Sequence, residues 1–319
     1  MMQKTTIWVI AAILGIVVAG AISLLLYHTN PTNQTSDQIG NHPNQTSLDL
    51  AENLWSSSSE KSDQASIYWN ENDYASGKIT LIGALTDAEE ARGYLENADI
   101  EMVTKQYALC ALDGWSNLLN WMLILSDALG DYQQAMARLN YLDYDGAVTK
   151  FLDAKEFIDQ AQPYFLSAKE NFDSVNVDEL PSELKSTVIE AQTFFASYVT
   201  FLPDFSSMTD AFVPFVRSLK SLSEGATYLE RNDWYAAEIA FNDSLSQTTE
   251  AKNMFDSLRY CQTADFSTLA SGAFVYLQKL ESALSYYIQG CEYAKAGDTS
   301  SAASEFETGS QILNGVSWV

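Results

Sequence analysis

The sequence predicts an all-α fold: long antiparallel helical hairpins, about nine helices in all, preceded by one N-terminal transmembrane helix. Three observations predict it. Glycine and proline, the main punctuators of strands and turns, number only 15 and 6 in 319 residues. An Asp-centred pattern of small and large apolar residues recurs four times at helical spacing. Residues 7–27 form an uncharged run as long as a bilayer core is thick.

The N-terminal run is IWVIAAILGIVVAGAISLLLY. Lys4 precedes it and the next basic residue is Lys61. The positive-inside rule then places residues 1–6 in the cytoplasm and the rest of the chain outside. A cleavable signal peptide is the rival reading, because Ala19-Gly20-Ala21 has the small-x-small form of a cleavage site. The apolar run continues past it through ISLLLY, which suits an uncleaved anchor. Residues 28–46 hold almost no large apolar side chain and read as a flexible polar tether. The tether carries glycosylation sequons at Asn33 and Asn44, and a third lies at Asn242. Residues 47–319 form the extracytoplasmic helical domain, and the chain is expected at the cell membrane.

The chain has 42 acidic and 17 basic residues, a net charge of −25. Such a polyanion repels nucleic acid and anionic lipid heads, so neither is expected as a partner. The charge reads as solubility or as life in a salty medium. Cys110, Cys261 and Cys291 are odd in number, sit within helical patterns and have no close pairing. They read as buried free thiols rather than a disulfide framework.

The repeat centres on Asp73, Asp143, Asp233 and Asp298. Four residues after each comes a small residue: Gly77, Ala147, Ala237 and Ala302. Eight after comes a large apolar one: Leu81, Phe151, Phe241 and Phe306. Eleven after comes Ala84, Ala154, Ser244 or Gly309. Upstream, Tyr68, Arg138, Tyr228 and Tyr293 stand five residues before the Asp, and Ala65, Ala135, Gly225 and Gly290 eight before. Small residues let two helices approach, and the Phe or Leu fills the space between them. The Asp is expected to cap the second helix, where its charge also suits the positive helix end. Asn72, Asn232 and Gly297 just before it tolerate the left-handed turn that ends the first helix.

This pattern resembles the tetratricopeptide repeat, most closely at Gly225, Tyr228, Asp233, Ala237 and Phe241, and at Gly290, Tyr293, Gly297, Asp298, Ala302 and Phe306. Two features depart from that family. The turn Asp residues lie 70, 90 and 65 apart (143−73, 233−143, 298−233), against about 34 in tandem family repeats. The Pro that usually closes a repeat is absent. Longer hairpins follow, with helices near 47–71, 73–98, 100–141, 143–173, 179–201, 205–231, 233–260, 264–296 and 298–316. A break is expected at Gly130-Asp131 within the third, and another at Pro203.

The resemblance implies that the first helix of each hairpin lines a peptide-binding groove. In the last three copies those positions are apolar: Leu129, Tyr132, Met136 and Leu139; Leu219, Leu222, Ala226 and Leu229; Leu284, Tyr287, Cys291 and Ala294. They point to buried helices, in a compact bundle or an array whose groove its own chain fills. An open apolar groove for a hydrophobic partner is the alternative. The first copy is polar there, with Ser59, Ser62 and Ser66, as an outer helix would be.

The segment Gly114–Gly130 is the most apolar outside the anchor and reads as a core helix, too short for a second span. The stretch 194–216 carries Phe194, Phe195, Tyr198, Phe201, Phe205, Phe212 and Phe215. Two readings stand: core packing around a helix break at Pro203 and Pro214, or an aromatic pocket or partner surface. "DYDG" at Asp143–Gly146 falls short of a calcium loop, because Tyr141 and Leu152 occupy ligand positions. The only histidines, His28 and His42, lie in the tether, so a Ser-His-Asp triad or histidine metal site in the folded part is excluded. No metal or cofactor is expected, and the chain is read as a non-enzyme. The expected role is a protein-binding scaffold or envelope assembly factor. The alternatives are a ligand-binding ectodomain, as sensor or carrier, and a structural surface protein.

Overall fold

The computed structural model describes residues 43–179 and 182–314. Among them are nine α-helices, one short 3₁₀ turn at Val177–Glu179, and no strand. The helices are α1 Pro43–Asn70, α2 Tyr74–Glu96, α3 Met102–Asn140, α4 Tyr144–Asp173, α5 Ser182–Tyr198, α6 Phe201–Glu230, α7 Trp234–Leu258, α8 Ala264–Lys295 and α9 Thr299–Asn314. The anchor run 7–27, Asn33 and both histidines lie outside the described residues. Helix α1 starts at Pro43, so the last residues assigned to the tether, Asn44 included, are helical. Proline suits a first helical turn, where its missing N–H is no loss.

Three expected boundaries differ. Helix α3 runs without interruption through Gly130: the packing of its flanking turns outweighs the roughly 1 kcal/mol that glycine costs in a helix. The break expected at Pro203 falls at 199–200, and Pro203 sits in the first turn of α6. Proline is tolerated there. Pro214 lies inside α6 without ending it.

The four Asp turns are built alike. The Asp N–H donates to the carbonyl five residues back: Asp73 to Tyr68 at 2.9 Å, and Asp143 to Arg138, Asp233 to Tyr228 and Asp298 to Tyr293 at 3.0 Å each. The preceding residue takes a left-handed φ, +63° at Asn72, +58° at Leu142, +57° at Asn232 and +83° at Gly297. Its N–H donates to the carbonyl three residues back. This is the Schellman closure. The same Asp then opens the next helix. Its Oδ1 accepts from the N–H three residues on, at Ser76, Gly146, Ala236 and Ser301, over 3.0–3.1 Å.

Beyond the turn, the second helices bury one seam. It steps alternately by four and three residues: Gly77, Leu81, Ala84, Ala88, Ala91, Leu95 in α2, and Ala237, Phe241, Ser244, Thr248, Ala251, Phe255 in α7. Helix α4 buries Ala147, Phe151, Ala154, Ile158, Ala161 and Phe165 at the same steps. A 3.5-residue average keeps such a seam facing its partner helix along its whole length. On the first helices, Ala65, Ala135, Gly225 and Gly290 are buried, as are Ser58, Ala128, Ser218 and Ala283 seven residues earlier. Ser58 Oγ donates to Ala84 O at 2.7 Å, Ser244 Oγ donates to Ser218 O at 2.9 Å, and Gly309 faces Ala283 O. Three hairpins thus cross at equivalent small residues. The long 90-residue interval between the second and third Asp contains the additional helix α5.

The described chain divides into two compact units, one of residues 43–129 and 157–199, the other of 130–156 and 200–314. In the first unit, Trp55 packs on Trp115 with centroids 5.5 Å apart, Trp121 on Phe165 and Phe172 on Phe195. The same unit holds the ion pairs Lys61–Asp87, Lys78–Asp127 and Arg92–Asp113. In the second unit, α6, α7, α8 and α9 pack mainly on their sequence neighbours. Phe151 stacks on Phe212 at 5.1 Å, and Phe241 on Tyr287 at 5.1 Å.

Candidate functional site

The seven aromatics of the 194–216 stretch do not form one surface. Phe194, Phe195 and Tyr198 belong to the first unit, and Phe201, Phe205, Phe212 and Phe215 to the second. The six phenylalanines are buried and Tyr198 is half-buried. In the first unit, Phe195 packs edge-on to Phe165, and Phe194 lies 4.7 Å from Tyr198. In the second, Phe201 and Phe205 stack on Phe266, Phe212 meets Phe255, and Phe215 meets Tyr276. Their faces are occupied by other rings.

The predicted groove positions are only partly enclosed. Leu129, Leu284 and Cys291 are buried. Tyr132, Met136, Leu139, Leu219, Leu222, Leu229, Tyr287 and Ala294 are half-buried, and Ala226 is exposed. The first copy contradicts its outer-helix assignment, because Ser59, Ser62 and Ser66 are all buried. Ser66 Oγ donates to Ser62 O at 3.1 Å, one turn back, and Ser62 Oγ lies 4.0 Å from Met122 Sδ. A hydroxyl satisfied by its own helix can enter a core as a small residue.

The turn carboxylates are held by local donors. Asp73 and Asp298 lie below the ordinary carboxylate value because the hydroxyl and N–H of Ser76 and Ser301 bond their charged forms. Asp143 is lowered by the N–H of Gly146 and then by Arg138. This is capping geometry. Each carboxylate accepts from a backbone N–H that opens a helix. Tyr228 and Tyr293 are half-buried beside these turns, and their carbonyls are the acceptors described above. Asn242 is exposed in mid-helix, and the Ser244 hydroxyl of its sequon is buried against Ser218.

Among the described residues, no group of three or more His, Cys, Asp or Glu side chains is placed to hold a metal. An open pocket of about 430 Å³ lies in the second unit, lined by Asp204, Met254, Ser257, Leu258, Tyr260 and Cys261 among others. Asp204 Oδ2 accepts from the Thr263 hydroxyl at 2.8 Å. Burial, and then the Asp204 charge, raise the Cys261 thiol. Burial pushes Cys291 up to about 11. A thiol that stays protonated at neutral pH is a poor nucleophile.

The chain matches no family model, no curated protein and no solved structure.

One helix among the described residues, at Lys105–Asn140, is long and apolar enough to cross a membrane. The Gly114–Gly130 stretch lies within this helix, as the expected helix near 100–141 places it. Just over half of its most apolar stretch is buried inside the protein, and Trp115, Leu118, Leu119, Met122 and Leu125 are core residues.

Twelve basic side chains are paired with acids: Lys61, Lys78, Arg92, Arg138, Lys150, Lys155, Lys169, Lys185, Lys220, Lys252, Arg259 and Lys295. The charge left over is therefore overwhelmingly negative.

Proposed function

We propose that this chain is a membrane-anchored, outward-facing helical-repeat scaffold that acts by binding proteins, in envelope assembly or organisation. The observation that carries the reading is the repeated hairpin: four turns with one geometry, joined to seams of equivalent register. Such a scaffold is an extended set of surfaces and holds no catalytic constellation. The hairpins form a tetratricopeptide-like array with longer helices, residues 7–27 are the anchor, and residues after the anchor lie outside the cytoplasm. The carboxylates singled out serve helix ends, which supports a binding role over an enzymatic one. The expected partners carry basic surfaces, because the unpaired charge of this chain is acidic.

Two measurements test this reading. Protease added to spheroplasts should digest the chain beyond residue 46 and leave an alkali-resistant membrane fragment; complete protection overturns the topology. Crosslinking in intact membranes followed by purification should recover a stoichiometric protein partner that is released by salt. Recovery of this chain alone overturns the scaffold role.

A further inference from the structure

The sequon Asn242-Asp243-Ser244 lies inside α7, which runs unbroken over Trp234–Leu258. Asn-linked glycosylation uses both ends of a sequon. The asparagine amide is the nucleophile, and the hydroxyl two residues on is read beside it by the transferase. In an α-helix, residues two apart are turned about 200° from one another. The two groups therefore leave opposite sides of α7, and no single active-site cleft meets both.

The structure shows that division. Asn242 is exposed and Ser244 is fully buried. The Ser244 hydroxyl donates to Ser218 O at 2.9 Å and lies 3.2 Å from Ser218 Oγ, which lies 2.6 Å from Thr248 Oγ1. Ser218 and Thr248 are fully buried as well. These bonds join α6 to α7 at the crossing of the third hairpin, so the hydroxyl comes free only when the two helices separate. The amide is engaged too, because Asn242 Nδ2 donates to Glu238 O at 2.9 Å.

A sugar already in place meets no such obstacle. Ile239 and Ser246, one turn to either side of Asn242, are also exposed. A glycosylated amide keeps one N–H, which can still donate to Glu238 O.

We propose that Asn242 is a glycosylation site that folding closes. The unfolded chain accepts an oligosaccharide there, the folded chain does not, and a glycan attached earlier is kept on the surface of α7. In the transfer, Asn242 Nδ2 attacks C1 of an oligosaccharide carried on a lipid phosphate. The N–C1 bond forms as the C1–O bond breaks. The lipid phosphate leaves with the electron pair, and a base of the transferase takes the amide proton. Occurrence in cells rests on the outward orientation proposed above; the closure by folding does not.

The test incubates the full-length chain in mild detergent with a lipid-linked oligosaccharide and an oligosaccharyltransferase that modifies the free peptide 236–250. Mass spectrometry reads occupancy at 242. The folded chain should be modified about a hundredfold more slowly than the peptide, because opening of a packed helix crossing is rare. Ser218→Asp places a charge in the buried crossing. Its rate at 242 should rise in step with its unfolded fraction, read by circular dichroism. Modification of the folded chain at the peptide's rate overturns the proposal, as does a rate that ignores the unfolded fraction. Chain glycosylated at 242 before folding should keep the helical signal of the unaltered chain; loss of that signal overturns the claim that the glycan is tolerated.

Discussion

The ring of Phe241 lies over the bare backbone of Gly225, across the third hairpin and eight residues to either side of Asp233. Phe306 and Gly290 repeat the contact around Asp298. A methyl group at either glycine collides with the facing ring. Gly225→Ala gains up to about 1 kcal/mol of helix propensity and loses about 1–3 kcal/mol to overpacking, so net destabilisation is expected. Gly130 and Gly272 have nothing within 4 Å of an added Cβ. Gly130→Ala and Gly272→Ala should therefore stabilise. Chemical unfolding of the four variants checks the contrast; equal effects would contradict the packing.

Leu142 is the one residue of the four turns whose side chain opposes its backbone. Leu142→Asn should stabilise the fold by about 1 kcal/mol, because Asn tolerates the left-handed region. The leucine is 67% exposed, so little apolar burial is lost. Thermal unfolding reads the shift, and a lower Tm would show that the side chain supports the fold.

Asp233→Ala should cost about 1 kcal/mol by removing the cap on Ala236 N. The other three caps also carry a pH signature. Asp73, Asp143 and Asp298 have carboxyls lowered by their donors. Their charged forms contribute stability that is fully present above the ordinary carboxylate value of about 4. It is lost as the pH falls through their lowered values. Asn at these positions still caps but does not titrate. The triple Asp→Asn variant should therefore show a shallower loss of stability below about pH 4. An unchanged acid limb would contradict the assignment.

Cys291 is buried, and its thiol is pushed up to about 11. At pH 8 a thiol reagent should modify it only after unfolding, whereas the half-buried Cys110 and Cys261 should react first. Above the ordinary thiol value the folded state is penalised for holding Cys291 neutral, so alkaline stability should fall toward pH 11. Cys291→Ala should lessen that fall.

The turns were legible in the sequence because each makes a local chemical demand: a capping oxygen, a residue that accepts positive φ, and small residues where helices touch. Leu142 carries no such signal, so its left-handed conformation is not legible in the sequence. The crossing at Ser58, Ala128, Ser218 and Ala283, and the alanines at 91, 161 and 251, repeat faithfully. Ala and Ser are too common to stand out without the seam that joins them. Ser59, Ser62 and Ser66 look exposed on polarity alone, but a serine can bond within its own helix and be buried. Pro203 marks the helix break inside the aromatic stretch to within a few residues, but composition carries no sign that the rings on its two sides belong to different units.

The central claim is that the chain repeats one helical hairpin in a fixed register. The most direct test is an engineered disulfide between Ser218 and Ser244, whose hydroxyls lie 3.2 Å apart across the third hairpin. In the double variant Ser218→Cys, Ser244→Cys, mass spectrometry should find residues 218 and 244 joined within one chain. The control Ser218→Cys, Leu245→Cys, one residue out of register, should remain open. No bridge in the first variant, or equal bridging in both, would contradict the hairpin register.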